Sequence, residues 1–258
     1  EFIPIGRVGQ ATEIGPVAVF LASAASDYMN GEMFIADGHH RYEAALRYRS
    51  GVRAEREVGH DESINFRIMM MVSFDEPGLI TRGYHRVVET ATADEISGLI
   101  DSFKSTCELE EWTPPAGQPT AEKIEAFAVA LGEREGDEVV FGLFGKEPGK
   151  FHVARMKAPP PPNNALENSE YSRLHSLIIR PVISEAREEQ VISPHHDAGL
   201  IARQVDSGEA RFAIIMRPVP LPEFVAIVTR GWRLPPKATN FFPKPPAGAV
   251  IQQFGERL

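Results

Sequence analysis

Hydrophobic and polar positions change period several times along the chain, and each change predicts an element. Ile14, Val17, Ala18 and Leu21 share one face of a predicted helix from Thr12 to Ala22, with Thr12 as cap and Pro16 near the first turn. Phe34 to Ala36 reads as a short strand, and Asp37-Gly38 as a turn. From His40 onward, Tyr42, Ala45, Leu46 and Arg49 recur at helical spacing. Ser63 to Phe74 reads as a buried strand in which Met69, Met70 and Met71 pack a core. Ile80 to Val88 follows as another strand. Thr92 to Lys104 predicts a helix with Ile96, Leu99, Ile100 and Phe103 on one face. A Pro-rich break from Trp112 to Pro119 precedes a second helix, Thr120 to Leu131.

Glu138 to Phe144 and Lys150 to Met156 then read as a hairpin. Ala158 to Asn164 holds four consecutive prolines, which remove four backbone donors, so it is expected to be a linker. Beyond it come a helix from Ser169 to Ala186 interrupted near Pro181, a strand Gln190 to Ser193 and a helix Asp197 to Val205. A buried strand Arg211 to Arg217, a helix Pro222 to Arg230 and a closing strand Ala249 to Phe254 complete the chain. This alternation implies a layered α/β or α+β fold, with mixed sheets and helices. The expected organisation is a segment 1–33, a part 34–157, a Pro-rich linker 158–164 and a part 165–258.

Composition narrows the functional classes. A net charge of −9 argues against a general nucleic-acid or anionic-membrane surface. Cys107 is the single cysteine, so no disulfide framework or thiolate zinc site is available and a cytoplasmic setting is expected. No apolar run is long enough for a membrane helix. The first residue is Glu1 rather than Met, so a longer parent protein is expected.

The densest chemistry lies at Asp37-Gly38-His39-His40-Arg41, between the predicted strand and helix. A helix N-terminus presents unpaired N–H groups and the positive end of the macrodipole, which suits a phosphate. Arg41 adds a fork of donors for the same anion. Asp37 can orient a hydroxyl, hold a metal or act as a base, or serve only as a helix cap. His39, His40, His85, His175, His195 and His196 all lie beside turns or element ends and could converge with Asp37 on a phosphate or a divalent ion. The other reading makes His85 and His175 satisfied core partners. No His-x-x-x-His pair is present, so a structural metal is not expected, and magnesium would come with substrate phosphates. Lys237, Thr239 and Lys244 sit in a proline-stiffened loop, where the lysines either bind an anion or remain solvated beside Phe241 and Phe242. Cys107 lies in an acidic run (Glu108, Glu110, Glu111) that would raise a thiol pKa and blunt its reactivity.

Two resemblances stand out. Gly6 to Ser23, followed by Ala25 to Gly38, resembles the C-terminal tail of short-chain dehydrogenases/reductases, with His39 where that family ends in Gly. The family's Gly-rich dinucleotide turn and its Tyr-x-x-x-Lys pair are both absent, so no hydride transfer is expected. Ile35 to Arg49, Ile80 to Val88 and Leu234 to Ile251 resemble motifs of the uncharacterised family domain of unknown function 1015. Tyr84, Ala238 and Asn240 depart from that family's usual Thr, Ser and Tyr. The two patterns meet at Phe34 to Gly38, so the chain reads as a chimera.

The Asp-Gly-His-His-Arg turn is further similar to the ParB-like superfamily, which includes free-serine kinases. That similarity implies a nucleotide-phosphate site and phosphoryl transfer to a small hydroxyl compound. In that reading Asp37, His39 and His40 are catalytic. Gly38, Arg41, His85, Arg86, His196, Lys237, Thr239 and Lys244 bind a nucleotide, accompanied by Mg2+. The alternatives are a non-catalytic nucleotide sensor and an inactive dehydrogenase fusion. A small-molecule phosphate or nucleotide is the expected partner, with neither membrane nor nucleic acid.

Overall fold

The computed structural model describes residues 38–70, 72–73, 76–134, 138–145, 150–158, 164–232, 234–235 and 237–244. The predicted helix 12–22, the strands 34–36 and 249–254, and residues 159–163 of the Pro-rich linker lie outside these residues. The chain divides into two units, Glu1–Leu79 with Pro243–Leu258, and Ile80–Phe242.

In the first unit a helix runs from His39 to Glu55. Its N-cap is Gly38, in the left-handed region at φ 81°. A side chain there would meet the Arg41 guanidinium at 2.9 Å as well as the backbone penalty, so glycine suits both demands. The helix is followed by a single turn at Ser63–Asn65. Arg53 donates to Asn65 Oδ1 at 2.8 Å, and Arg56 pairs with Glu62 at 2.7 Å, which ties that turn back to the helix. The expected strand Ser63 to Phe74 is absent among its described residues. Met69 and Met70 are 44% and 61% exposed, so they do not pack the core, and Met71 lies outside the described residues. The residues Ile68 and Val72 are also outside any strand.

The second unit holds two antiparallel sheets. The smaller pairs β1 (Ile80–Arg82) with β8 (Asn240–Phe242). The larger contains β2 (His85–Val88), β3 (Cys107–Trp112), β4 (Val140–Gly145), β5 (Phe151–Met156), β6 (Ile192–His195) and β7 (Phe212–Ile215). Their order is β3-β5-β4-β7-β2-β6, every pairing antiparallel. This sheet draws strands from both sides of the 158–164 proline run.

Helices cover both faces of the sheet. Phe141 meets Phe103 of the Ala93–Thr106 helix edge-to-face, while a Cβ at the adjacent Gly142 would strike Phe127 of the Thr120–Gly132 helix. Successive strand residues point to opposite faces, so these two helices occupy opposite sides. Phe127, Leu131, Ile201, Val205, Ala213 and Ile215 form one continuous core with the Ala198–Ser207 helix. The predicted helix starts are sharp: Thr92 and Glu95 form a reciprocal capping box, and Asp197 accepts from the Leu200 N–H at 2.9 Å.

Two expectations need correction. The predicted strand Ile80–Val88 breaks in two at Gly83, where a Cβ would lie 2.2 Å from the Met216 carbonyl oxygen. Gly83→Ala therefore forces the backbone apart, and a loss of about 2 kcal/mol is expected from a denaturant titration. The acidic run Cys107–Trp112 is a strand, at the edge of the large sheet. Its Glu108, Glu110 and Glu111 pair with Arg155, Arg134 and Lys150, and such a row of charges discourages further strand pairing. Burial, rather than these glutamates, is the leading cause that pushes the Cys107 thiol up to about 11, and Lys157 opposes it only in part. Among the described residues, no helix is long and apolar enough to cross a membrane.

Candidate functional site

Alternation along β2 sends His85 and Val87 to one face and Arg86 and Val88 to the other. His85 is a core residue. Its Nδ1 accepts the Met216 N–H at 3.1 Å, and burial first, then the charges of Arg86 and His196, lowers its pKa to about 4. The reading of His85 as a satisfied partner holds.

Arg86 is 3% exposed, and it lines a cleft of about 740 Å³ together with Arg173, His175, Arg180, Glu188 and Lys237. Its Nε donates to His175 Nε2 at 3.0 Å. Its Nη1 donates to the Tyr84 carbonyl at 3.1 Å and to the Lys237 carbonyl at 3.2 Å. The guanidinium lies 4.9 Å from the centre of the Tyr171 ring. All these partners are neutral, and Nη2 has no acceptor among the described residues. The Glu188 carboxylate acts on this cation only from across His175, and a buried guanidinium without a directly bonded carboxylate is costly unless an anion joins it. Burial lowers the Arg86 pKa, opposed in part by Tyr171 and the Glu188 carboxylate, and the guanidinium remains charged.

Tyr171 pins the neighbouring backbone. Its hydroxyl donates to the Tyr84 carbonyl at 3.0 Å and accepts the Tyr84 N–H at 2.7 Å. Burial pushes its phenol well above the usual range. Tyr84 in turn gathers two side chains predicted for the site: the His196 ring is 5.5 Å away, and Lys237 Nζ lies 5.5 Å above the Tyr84 ring. Lys237 has φ 56°, the one positive value outside glycine among the described residues. That backbone costs about 1–2 kcal/mol, and the Arg86 bond to its carbonyl helps hold it.

The fold thus brings His196 and Lys237 to Tyr84 and ties Arg86 to the Lys237 carbonyl, while His85 points to the opposite face of the sheet from Arg86. Thr239 is half-buried near Lys237 in sequence, next to β8. Lys244 is exposed and belongs to the first unit, with Gly38, His40 and Arg41. There, His40 is exposed and lies 3.9 Å from Glu43, and the Arg41 guanidinium lies against Gly38. Asp37 and the side chain of His39 lie outside the described residues. His195 lies 3.4 Å from Glu89, which also accepts from Ser193 and Gln204. Among the described residues, no three His, Cys, Asp or Glu side chains are grouped to hold a metal.

Arg173, Arg180 and Glu188 are site residues that pattern reading missed. Leu174–Ile179 is a π turn that ends the helix, and Glu188 lies on the separate Glu185–Val191 helix. Arg180 donates to Glu188 Oε2 at 3.3 Å, and Glu188 is joined at Oε1 to His175 Nδ1. Burial works to raise the Glu188 carboxyl, but His175 and Arg180 outweigh it and hold it low.

A second buried cluster lies elsewhere in the unit. Arg217 forks onto Glu170 at 2.6 and 3.1 Å. Burial raises the Glu170 carboxyl in spite of that pair and of the Val140 N–H. Glu223 has a buried Oε1 without a partner among the described residues, and burial with the Glu170 charge pushes it up to about 7, against Arg217. An acid raised in the fold holds its proton longer there, so Glu223 makes stability fall as pH rises from 4.5 to about 7. His85, lowered in the fold, makes stability rise with pH from about 4 to 6.5, and the two slopes oppose each other. Glu223→Gln removes one of them. Its thermal midpoint is expected to climb with pH across this window more steeply than that of the wild type.

A 36-residue stretch is 64% identical to 2-dehydro-3-deoxy-D-gluconate 5-dehydrogenase of Bacillus subtilis (strain 168). It covers 14% of this chain and 14% of that enzyme, so the chain spans only a small part of this curated relative. Among solved structures, a free serine kinase in complex with AMP is 16% identical at a TM-score of 0.44, over 90% of this chain and 80% of that one. A free serine kinase variant in complex with ADP is 18% identical at 0.41, over 80% of this chain and 66% of that one. A conserved hypothetical protein from Pyrococcus furiosus is 18% identical at 0.42, over 80% and 68%. The family model described as "Protein of unknown function (DUF1015)" matches residues 21–170, starting ahead of the Ile35 to Arg49 motif and ending before the Leu234 to Ile251 motif. With more than half of its length matched, the chain belongs to the DUF1015 family.

Proposed function

We propose that this protein binds the phosphate groups of a nucleotide or a similar small molecule, and that Arg86 is the principal cation of that site. One observation carries the reading: Arg86 is buried and lines a cleft, its hydrogen bonds go only to an imidazole and two carbonyls, and its Nη2 has no acceptor among the described residues. Lys237, joined to Arg86 through its carbonyl, adds a second cation from a sequence-distant loop. His196 and Thr239 are further proposed contacts within the second unit. In the first unit, Gly38 and Arg41 at the start of the His39–Glu55 helix have the chemistry of a phosphate cradle, and Lys244 adds a cation.

The fuller version is phosphoryl transfer to a small hydroxyl compound, with Asp37 and His39 or His40 as base. Magnesium would be carried in by the phosphates, which typically hold it with few protein ligands. A second reading, nucleotide sensing without transfer, draws on the commitment of Glu188. The one carboxylate bonded to the cleft's histidine is already engaged by His175 and Arg180. The single cysteine fits operation in a reducing cytoplasm.

Thermal shifts with ADP, ATP and CTP, with and without magnesium, test the binding. At least one is expected to raise the midpoint in a dose-dependent way. No shift with any of them refutes the reading. Phosphate transfer from the stabilising nucleotide to serine and other hydroxyl compounds then separates an enzyme from a sensor.

A further inference from the structure

We propose that Glu188 and His175 are positioning residues that lock the Arg86 guanidinium in its anion-binding orientation; this rests on the phosphate reading of the same cleft. Donor and acceptor roles follow from Arg86 alone. Its Nε can only donate, and it faces His175 Nε2 at 3.0 Å, so Nε2 must carry the lone pair. A neutral imidazole has one N–H, which therefore sits on Nδ1 and donates to Glu188 Oε1. Glu188 Oε2 accepts from Arg180 Nε, so both carboxylate oxygens are engaged. The chain of bonds runs in one direction, from Arg86 through His175 to Glu188.

The consequence for Arg86 is geometric. Nε is fixed by the imidazole and Nη1 by two carbonyls, so the guanidinium plane cannot rotate and Nη2 is left as the available donor. His175 and Glu188 are both largely buried, at 15% and 13% exposure, so water competes weakly for these bonds. Without Glu188, the Nδ1 proton loses its acceptor and the imidazole is free to turn. Arg86 then loses the partner that fixes its Nε. An orienting group that acts through another is recognised in metal sites, where a carboxylate sets the tautomer of a ligating histidine. Here the oriented group is a guanidinium.

Two readouts on the full chain test this. In 15N NMR of the wild type, His175 is expected to be protonated on Nδ1 only, with slow exchange of the Arg86 Nε proton. Glu188→Leu is expected to speed that exchange and to weaken ADP binding about 10-fold. Glu188→Gln, whose amide oxygen can still accept from Nδ1, is expected to stay within about twofold of wild type. It also serves as the test variant if Glu188→Leu does not fold, because a Gln variant with slow Nε exchange and near-wild-type affinity is the predicted rescue. A His175 proton found on Nε2 overturns the proposal. So does unchanged ADP affinity in folded Glu188→Leu while Arg86→Gln loses binding, an outcome that leaves the phosphate reading intact. Unchanged affinity in Arg86→Gln itself refutes the phosphate reading, and this proposal with it.

Discussion

Arg86→Gln is expected to weaken ADP binding about 100-fold, close to 2.7 kcal/mol, while the protein still folds. The affinity falls because the removed group is the charged donor, and a bond to a charged partner is worth more than a neutral one. The fold survives because burying that charge was itself costly, and a neutral glutamine relieves the cost. Its amide can still donate to one of the two carbonyls that Arg86 Nη1 now serves. Lys237→Ala is expected to have a smaller effect, since its ammonium is exposed and water screens it. Isothermal calorimetry with ADP distinguishes the two variants, and circular dichroism melts confirm that both are folded.

Arg217→Leu is expected to cost about 3–5 kcal/mol of stability, the largest single loss in the second unit. The Arg217 and Glu170 side chains are only 18% and 14% exposed. Arg217 also donates to the Glu138 carbonyl at 2.7 Å and the Arg134 carbonyl at 3.4 Å, so it fastens the approach to β4 as well as the carboxylate. Removing it strands Glu170 in a buried position beside Glu223, and two carboxylates then compete for protons without a counter-charge. The variant should therefore recover part of its stability at acidic pH, where those carboxyls are protonated. A second substitution, Glu170→Gln, should restore more, because it removes the stranded charge altogether. Urea titrations at pH 5.5 and about pH 8 measure both effects.

Much of the second unit was legible in the sequence, and the reasons are local. The Thr92/Glu95 capping box, the apolar face of Ile96, Leu99 and Phe103, and the Val140–Met156 hairpin all follow from short-range pattern. Three features were not. The Cys107–Trp112 strand reads in the sequence only as an acidic run, because its glutamates face arginines and a lysine that are distant in sequence. The break at Gly83 depends on the Met216 carbonyl, which no window around Gly83 contains. His175 lies in the π turn and Glu188 on the separate Glu185–Val191 helix, so a 3.6-residue period run through the segment does not pair them.

The site was legible in part. Arg86 and Lys237 were singled out from widely separated motifs, and the hydrogen bond between them joins residues 151 apart. Their convergence could not be read from either motif, because it depends on Tyr171 pinning Tyr84. The Asp37–Arg41 motif drew attention through its density of polar groups. Within its described residues, Gly38 at φ 81° and the helix that begins at His39 match the expected turn into helix.

The claim that ties these observations together is that Arg86 waits for an anion. It is tested most directly by calorimetric titration of ADP into the wild-type chain and into Arg86→Gln, with and without magnesium. The account predicts a saturable isotherm for the wild type that is nearly flat for the folded variant. Equal isotherms for the two proteins, or no saturable heat for the wild type at millimolar ADP, would contradict it.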